Sequence, residues 1–363
     1  MRTLRTHPLN LRPAAALLAA IALGAGLAAC GSSSDPSGAG SGASGSAGSA
    51  GAAAATTAAT TSTVQGSSSG GDPTLVVGDQ AGTGQQALLT AAGLLHKLPF
   101  TVKFADFTSG PPILEALSSG SLDIGGVGNA PPVFAAAGGA KIDIVETLRD
   151  GTRSAATLVP KGSSITSIQQ LKGKKIAVAE GSSAEYHLLR VLEKAGLTPK
   201  DVTLENLQPA QALAAFSSGA VDAWDVWSPY IEQAEAQKGA RILAGGSGFG
   251  TEYSYEVASK SAIANPTKAK EIKQYLAVLN QAHRWVDSHS AAWAKTWAAA
   301  TGLPQSIMRR AAADDSQTPV PVNASTTTSA EQGLVTAFSK AGLIPKDYSF
   351  APYVSTAFNS TVN

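Results

Sequence analysis

The sequence predicts an α/β fold of two lobes, each with a mostly parallel sheet flanked by helices. Short apolar segments of strand character alternate with helical patterns from about residue 74 to residue 259, which is typical of parallel strands joined by helices. A length of 363 residues favours two domains or one two-lobed body. A segment that occurs twice in similar form favours two related lobes.

The N-terminal segment has the features of an export signal. Three arginines precede a short apolar run at 13–29, and the run ends in Leu27-Ala28-Ala29-Cys30-Gly31. The run is too short, and too abruptly followed by glycine and serine, for a membrane span. Its last residues resemble a bacterial lipoprotein box. We expect residues 1–29 to be a lipoprotein signal peptide and Cys30 to carry the lipid anchor on the outer face of the cytoplasmic membrane; the alternative is an ordinary signal peptide with a stray cysteine.

The segment that follows predicts a tether rather than a domain. Residues 30–72 are mainly Ser, Gly, Ala and Thr, so they cannot bury a core and are expected to be disordered. The folded body is then expected to begin near residue 73. We assign residues 73–158 to the first lobe, 159–252 to the second lobe and 253–363 to a return into the first lobe, with two hinge crossovers.

Composition excludes several functions. Cys30 is the one cysteine, so the folded part is expected to have no disulfide, cysteine metal cluster or cysteine nucleophile. The net charge of +1 provides no basic field for nucleic acid. No G-x-S-x-G, H-E-x-x-H or G-x-x-x-x-G-K-[ST] motif is present. We therefore expect a monomer that is not an enzyme and has no cofactor.

Two tryptophans on one loop are the first candidate for a binding site. Trp224 and Trp227 follow a short apolar strand end and precede a helix start at Pro229, with Asp225 between them. Open α/β sheets bind ligands on such strand-to-helix loops. Both rings could instead belong to the core, but an acid between them favours a pocket with aromatic faces and a polar group. Three further tryptophans, in the long helical pattern after residue 266, are predicted to be core residues.

An internal similarity indicates that two lobes present matching loops. Residues 114–124 resemble residues 213–223: each segment has a helix end, a Ser-Ser-Gly stop and a strand containing an aspartate. Part of this similarity is ordinary helix-ending chemistry. In the first lobe the unit leads to Gly128 and Asn129, and in the second it leads to the tryptophan loop. Two such lobes facing each other across a hinge would clamp a ligand.

Four loops precede predicted helices and could bind an anion. Their capping residues are Thr83, Ser109, Asn129 and the pair Ser182 and Ser183. Free N–H groups and the helix dipole at such positions suit anions. Capping alone explains each loop, and convergence of several loops would favour a ligand site.

Four blocks of sequence, at 107–117, 120–132, 178–183 and 221–230, follow one another in this order. Together they resemble the solute-binding proteins of ABC importers for aliphatic sulfonates, taurine and nitrate. The resemblance implies a periplasmic-binding-protein fold of the second type, which closes on a small solute and docks on a permease with its ATPase. By motif position it implies the ligand-facing residues Gln80, Ser109, Gly128, Asn129, Ser182, Ser183, Trp224 and Trp227.

Three acids depart from the pattern of that family. Glu185 stands where the family commonly has histidine, Asp225 lies inside the tryptophan motif, and Glu256 stands where an aromatic residue is usual. A carboxylate beside a buried sulfonate is unfavourable, so these acids either point away or face a cationic group of the ligand. Tryptophan faces would also suit an ammonium.

The expected ligand is therefore a small sulfonate or a zwitterionic, taurine-like solute. A cationic amine or a nitrate-type solute is the second possibility. A third is an enzyme like the thiamine-pyrimidine synthases, which resemble this family but carry a cysteine-rich motif that this chain lacks. The input domain of a sensor is the remaining alternative.

Overall fold

The computed structural model describes residues 61–64, 74–80 and 84–362. The predicted signal peptide, the lipidation site Cys30 and the capping residue Thr83 lie outside these residues. None of the helices within the described ranges is long and apolar enough to cross a membrane.

Strands that are distant in sequence form two sheets. The first sheet has seven strands: β1 (Thr61–Val64), β2 (Thr74–Gln80), β3 (Thr101–Phe107), β4 (Ile124–Gly128), β5 (Ile142–Asp150), β11 (Tyr253–Ser259) and β12 (Gln317–Val320). The second sheet has five: β6 (Ala156–Val159), β7 (Lys175–Val178), β8 (Thr203–Asn206), β9 (Ala223–Val226) and β10 (Arg241–Gly245). The spatial orders are β1-β3-β2-β4-β11-β5-β12 and β10-β6-β9-β7-β8.

Both sheets are mixed, whereas the sequence predicted mostly parallel ones. The pairs β2–β3, β2–β4, β7–β8 and β7–β9 are parallel, as expected where a helix joins successive strands. Every strand pair that involves β6, β10, β11 or β12 is antiparallel. These strands enter or leave a sheet without a crossover helix of their own, so no constraint makes them parallel.

Helices cover both faces of each sheet. Ten are present in the described chain: α1 (Gln85–Ala91), α2 (Gly110–Ser118), α3 (Ala130–Ala137), α4 (Ser183–Lys194), α5 (Pro209–Ser218), α6 (Tyr230–Lys238), α7 (Lys260–Ala264), α8 (Pro266–Thr301), α9 (Gln305–Ala312) and α10 (Ser329–Ala341). Short 3-10 or π turns occur at Leu95–Lys97, Ile168–Leu171, Pro199–Asp201, Ala324–Thr328, Ala351–Tyr353 and Asn359–Thr361. Helix α8 is kinked at His289, where φ is −131°.

Each sheet has its own apolar core, which defines a lobe. In the first lobe, α1, α8 and α9 pack on one face of the sheet and α2, α3 and α10 on the other. In the second lobe, α5 and α6 cover one face and α4 covers the other. Trp293 and Trp297 lie in the core of the first lobe, as predicted, with parallel rings 4.8 Å apart; Trp285 is partly buried against that core.

The chain crosses between the sheets twice. Strand β5 is followed by β6 in the second sheet, and β10 is followed by β11 in the first. The first crossover therefore falls between Asp150 and Ala156, several residues before the predicted lobe boundary at residue 158. Strand β6 pairs with β9 and β10 rather than ending the first lobe.

One strand lies inside the predicted tether. Residues Thr61–Val64 pair antiparallel with β3 and form one edge of the first sheet. The prediction of a continuous tether to residue 72 is therefore wrong for these four residues. Three of them are β-branched, which favours a strand where an unpaired edge is available.

Two glycines let α2 pack closely on the centre of the first sheet. Gly78 of β2 and Gly125 of β4 are paired in parallel register. A Cβ built on Gly125 would lie 2.7 Å from Cγ2 of Ile113 and 3.1 Å from the carbonyl oxygen of Gly78. The backbone and a fully buried core side chain therefore leave no room for a methyl group at position 125.

We expect Gly125→Ala to lower the free energy of unfolding by about 1–3 kcal/mol, because overpacking forces the sheet and α2 apart. Denaturant unfolding of the purified protein measures this loss. The matched control is Gly333→Ala in α10, where nothing lies within 4 Å of the added Cβ. That control should leave stability unchanged or raise it by up to about 1 kcal/mol. Equal behaviour of the two variants would contradict the packing argument.

Candidate ligand-binding site

A cleft of about 180 Å³ lies between the two lobes, beside both crossovers. Its lining comes from the ends of β2, β4, β5 and β11, from the N-terminus of α4, from the loop after β9 and from the segment that joins α9 to β12. Gln80, Gly128, Ser182, Ser183, Trp227 and Glu256 are the residues predicted from the sequence that line it.

The N-termini of α3 and α4 meet at the cleft from opposite lobes. A Cβ built on Gly128, just before α3, would lie 2.1 Å from Oγ of Ser183, the first residue of α4. The backbone N–H of Ala130 points to the same hydroxyl oxygen at 3.4 Å. Helix α3 continues with Pro131 and Pro132, which have no N–H, so Ala130 carries the one backbone N–H of the first three residues of α3, and this group donates to Ser183. Two helix dipoles therefore direct positive potential at one point.

Ser109 and Asn129 are buried beside this point and do not line the cleft. Asn129 donates from Nδ2 to the carbonyl oxygen of Gly250 in the second crossover, at 2.8 Å. Ser109 is the N-cap of α2 and is fully buried. Within the described chain, its hydroxyl has no hydrogen-bond partner.

Ser182 caps α4, and the carboxyl of Glu185 in the first turn reaches back to the residue before this cap. The hydroxyl of Ser182 accepts from the Glu185 N–H at 3.3 Å, and Oε2 of Glu185 accepts from the Gly181 N–H at 2.7 Å. Burial raises the pKa of Glu185 to about 7, the Gly181 N–H opposes this rise, and the nearby Glu180 adds to it. The carboxyl of Glu185 is therefore directed into its own loop and does not line the cleft, and a ligand role for this residue stays a prediction.

Trp224 and Asp225 are also internal. Strand β9 lies between β6 and β7, so both of its faces are covered. Trp224 is 1% exposed and packs against Phe216 and Tyr230 on one face. On the other face, Asp225 accepts hydrogen bonds from the hydroxyl of Thr157 at 2.5 Å and from Nδ1 of His187 at 3.0 Å.

The His187–Asp225 contact is a buried hydrogen bond of the second lobe, and it becomes an ion pair when His187 is protonated. Burial lowers the pKa of His187, but the Asp225 carboxylate and hydrogen bonds to Asp225 and the Gly245 carbonyl outweigh burial, so the net pKa is raised. The pair joins α4 to the central strand of the sheet. Neither Trp224 nor Asp225 lines the cleft, so the structure does not bring them together with the other predicted site residues, and their ligand roles stay predictions.

Trp227 is the aromatic wall of the cleft, as predicted. It lies one residue beyond β9, where the strand no longer covers it, and its ring meets Tyr230 edge to face at 6.0 Å. Ser228 follows in the cleft and donates to Oε2 of Glu232 at 2.6 Å.

Glu256 faces the cleft from the centre of the first sheet. The residue is fully buried, and its Oε1 accepts from Nε2 of Gln85 at 2.5 Å. The Gln85 carbonyl in turn accepts from the Tyr275 hydroxyl at 2.7 Å. Burial, together with the charges of Glu146 and Asp79, raises the pKa of Glu256 well above its usual range.

Other acids line the cleft that the sequence did not reveal. Asp79 accepts from three backbone N–H groups, of Gln80, Gln85 and Gln86. Burial nevertheless raises its pKa to about 6. The sequence does point to Asp79, because this residue directly follows the predicted first strand and precedes Gln80, which is a predicted ligand-facing residue.

Asp150 and Asp315 close the far side of the cleft. Asp150 ends β5 and accepts from the hydroxyl of Ser254 at 2.6 Å and from Nε2 of Gln317 at 3.2 Å. Burial raises the pKa of Asp150 to about 7 and that of Asp315 to about 6. No sequence signal indicated Asp315, since it reaches the cleft from a segment far along the chain.

The cleft has a single base among the described residues that line it. This residue, Arg153, makes ion pairs with Glu232 at 2.9 Å and Glu235 at 2.7 Å. Its charge is therefore compensated by α6. No cluster of His, Cys, Asp and Glu in the described chain has an arrangement that could hold a metal ion.

A two-lobed α/β body with a cleft at its crossovers is the architecture of the periplasmic binding proteins. A model of the family described as NMT1/THI5 like matches residues 107–289, which is half of the chain. The chain belongs to this family.

Similar proteins include named binding proteins. The chain is 38% identical over 188 residues to a "putative aliphatic sulfonates-binding protein" of Escherichia coli K12, covering 51% of this chain and 59% of that protein. It is 35% identical over 143 residues to the taurine-binding periplasmic protein of the same organism, covering 39% and 43%. These matches span about half of the relatives' lengths.

A solved structure matches over more of the chain. The alkanesulfonate-binding protein SsuA from Xanthomonas axonopodis pv. citri, bound to MOPS, is 34% identical with a TM-score of 0.74. The alignment covers 79% of this chain and 99% of that one. The predicted family and fold class are therefore confirmed.

The raised pKa of Asp150 implies that the free energy of unfolding depends on pH. The folded pKa of about 7 exceeds the ordinary 3.8, so between these values the folded state binds the proton more tightly than the unfolded state. This site's contribution to stability consequently falls as pH rises through that window. We expect Asp150→Asn, which keeps both hydrogen bonds, to gain about 1–2 kcal/mol near pH 8 and nothing near pH 4.

Thermal unfolding across this pH range measures the effect. The control is Asp287→Asn on an exposed position of α8, which should follow the unmodified protein at every pH. If the difference in stability between Asp150→Asn and the unmodified protein is the same at every pH, Asp150 does not titrate between pH 4 and pH 8.

Proposed function

We propose that the chain is the extracytoplasmic solute-binding component of an ABC importer, and that it holds a small sulfonate in the cleft for delivery to a permease. One observation carries the proposal: the N-termini of α3 and α4 converge from the two lobes, beside Trp227. A sulfonate is a compact anion with three acceptor oxygens, and such anions bind well at helix N-termini without a free arginine. The named binding functions of the relatives support the same ligand class.

The acids of the cleft favour a sulfonate that also carries a positive charge. Asp79, Asp150 and Glu256 line the cleft, and Arg153 is engaged by Glu232 and Glu235. A purely anionic guest would be repelled by any of these carboxyls that is ionised. A zwitterion of the taurine type would bring its own counter-charge, so it is the preferred solute, ahead of nitrate or a simple amine.

The cellular setting is part of the proposal. We propose that lipidated Cys30 anchors the protein at the outer face of the cytoplasmic membrane, and that it acts there as a monomer. The first lobe would comprise the elements from β2 to β5 and from β11 onward, and the second those from β6 to β10. The periplasmic taurine-binding relative supports an extracytoplasmic location.

Transport is preferred to catalysis because of the chemistry in the cleft. The enzyme alternative is a protein like the thiamine-pyrimidine synthases, which carry a cysteine-rich motif, and this sequence contains no cysteine after Cys30. The raised carboxyl pKa values have a simpler cause, which is burial next to other acids.

Calorimetric titration with taurine, ethanesulfonate, nitrate and ethylamine tests the ligand class. We expect binding of both sulfonates, with taurine tighter, and no saturable binding of nitrate or ethylamine. Tight binding of nitrate alone, or of ethylamine alone, would overturn the proposal.

Gly128→Ala tests whether the site lies between the helix N-termini. The added methyl group would lie 2.1 Å from the Ser183 hydroxyl oxygen, so the lobes could not approach as closely. We expect sulfonate affinity to fall at least about tenfold, which corresponds to about 1.4 kcal/mol, with the ligand-free protein still folded.

The matched control is Gly245→Ala in β10, where an added Cβ meets nothing within 4 Å. Its affinity should equal that of the unmodified protein. If Gly128→Ala also retains full affinity, the ligand does not bind between these two helices.

A further inference from the structure

Glu256 has an oxygen with no partner at the cleft. Its Oε1 is held by Gln85, whereas Oε2 is buried and has no hydrogen-bond partner among the described residues. The residue is 0% exposed and lines the cleft. A buried carboxyl oxygen without a partner is costly, because it has lost its water without gaining a hydrogen bond.

Two glycines lie on one strand between the Glu256 carboxyl and the helix N-termini. In the antiparallel pair β4–β11, Glu256 lies opposite Gly126 and Ser254 lies opposite Gly128. A Cβ on Gly126 would lie 2.3 Å from Nε2 of Gln85 and 3.0 Å from Oε1 of Glu256, and a Cβ on Gly128 would lie 2.1 Å from Oγ of Ser183. Gly126 and Gly128 are two residues apart, so they share a face of β4. At the usual rise of a strand they are separated by roughly 6.6 Å.

This separation suits a short zwitterion. A ligand with a two-carbon spacer can place one charged group near Ser183 and Ala130 and the other near Glu256. Gly126 and Gly128 have no side chains of their own, and the polar ends of Gln85 and Ser183 lie over them.

The groups around Glu256 provide no positive charge of their own. Asp79 faces it from β2, Glu146 from β5, Gln85 from α1 and Tyr275 from α8. Glu146 accepts from Asn280 and Thr361, and Arg284 lowers its pKa rather than contacting Glu256. The one base that lines the described cleft, Arg153, is paired with α6.

We propose that Glu256 accepts a hydrogen bond from the ammonium group of a zwitterionic sulfonate whose sulfonate lies at the N-termini of α3 and α4. The inference rests on the proposed function and assigns the specificity for amino-sulfonates to this one side chain. Oε2 is the acceptor, while Gln85 and Tyr275 hold the carboxyl in place.

The test compares taurine with ethanesulfonate, which lacks the amine, on the full-length protein and on Glu256→Gln. Loss of a charged hydrogen bond is expected to weaken taurine binding by roughly tenfold to a hundredfold. Ethanesulfonate binding should stay within about threefold or improve, since the variant removes a negative charge from the cleft. Calorimetric titration gives both affinities, and thermal unfolding shows that each variant is folded.

Glu146→Gln is the matched control. It removes the same charge from the neighbouring strand β5, opposite Glu256, but its side chain does not line the cleft. The ratio of taurine to ethanesulfonate affinity should change by less than about threefold. An equal fall in this ratio for both variants would assign the effect to the general field and overturn a direct contact.

The pH dependence separates an acceptor from a donor. If Glu256 accepts from the ammonium, it must be ionised, so the ratio of taurine to ethanesulfonate affinity rises with pH as the carboxyl loses its proton, and this rise is absent in Glu256→Gln. A ratio that falls as pH rises would mean that protonated Glu256 donates to the sulfonate, and would overturn the inference.

The outcomes distinguish the inference from the proposed function. If ethanesulfonate and taurine bind equally and Glu256→Gln changes neither, Glu256 plays no part and sulfonate capture stands. If neither sulfonate binds the unmodified protein, the proposed function itself fails.

Discussion

The close approach of the two lobes at Gly128 and Ser183 is the constraint on which the site depends. A methyl group at position 128 would lie 2.1 Å from the Ser183 hydroxyl, so only glycine permits this contact. The contact places the first turns of α3 and α4 together, and their dipoles add at the point where an anion would bind. The mixed sheets position these turns, because β4 and β7 both end at the cleft.

Much of this arrangement could be predicted from the sequence, and the failures have a common physical reason. Gly128, Ser182 and Trp227 were predictable because each follows a strand and precedes a helix, a position that sequence pattern reveals. Trp224 and Asp225 lie only two or three residues before Trp227, but still within β9, whose faces are both covered. The last residue of this four-residue strand determines which side chains reach the cleft. The pattern of apolar residues in the sequence does not locate that residue.

The acids show a second limit of sequence reasoning. A carboxyl such as Glu185 or Asp225 looks the same in the sequence as Glu256, but its local partners satisfy it internally. Asp150 and Asp315 reach the cleft through a crossover and through a segment distant in the chain, so only the fold brings them together. Burial raises the pKa values of both residues, and a cationic group placed beside them would favour their ionised forms.

The position of a bound sulfonate tests the central claim most directly. A crystal structure of the protein with taurine should place sulfonate oxygens about 3 Å from the backbone nitrogens of Ala130 and Ser183, against the ring of Trp227. A sulfonate bound instead beside Arg153 and α6, or outside the cleft between the lobes, would contradict the account.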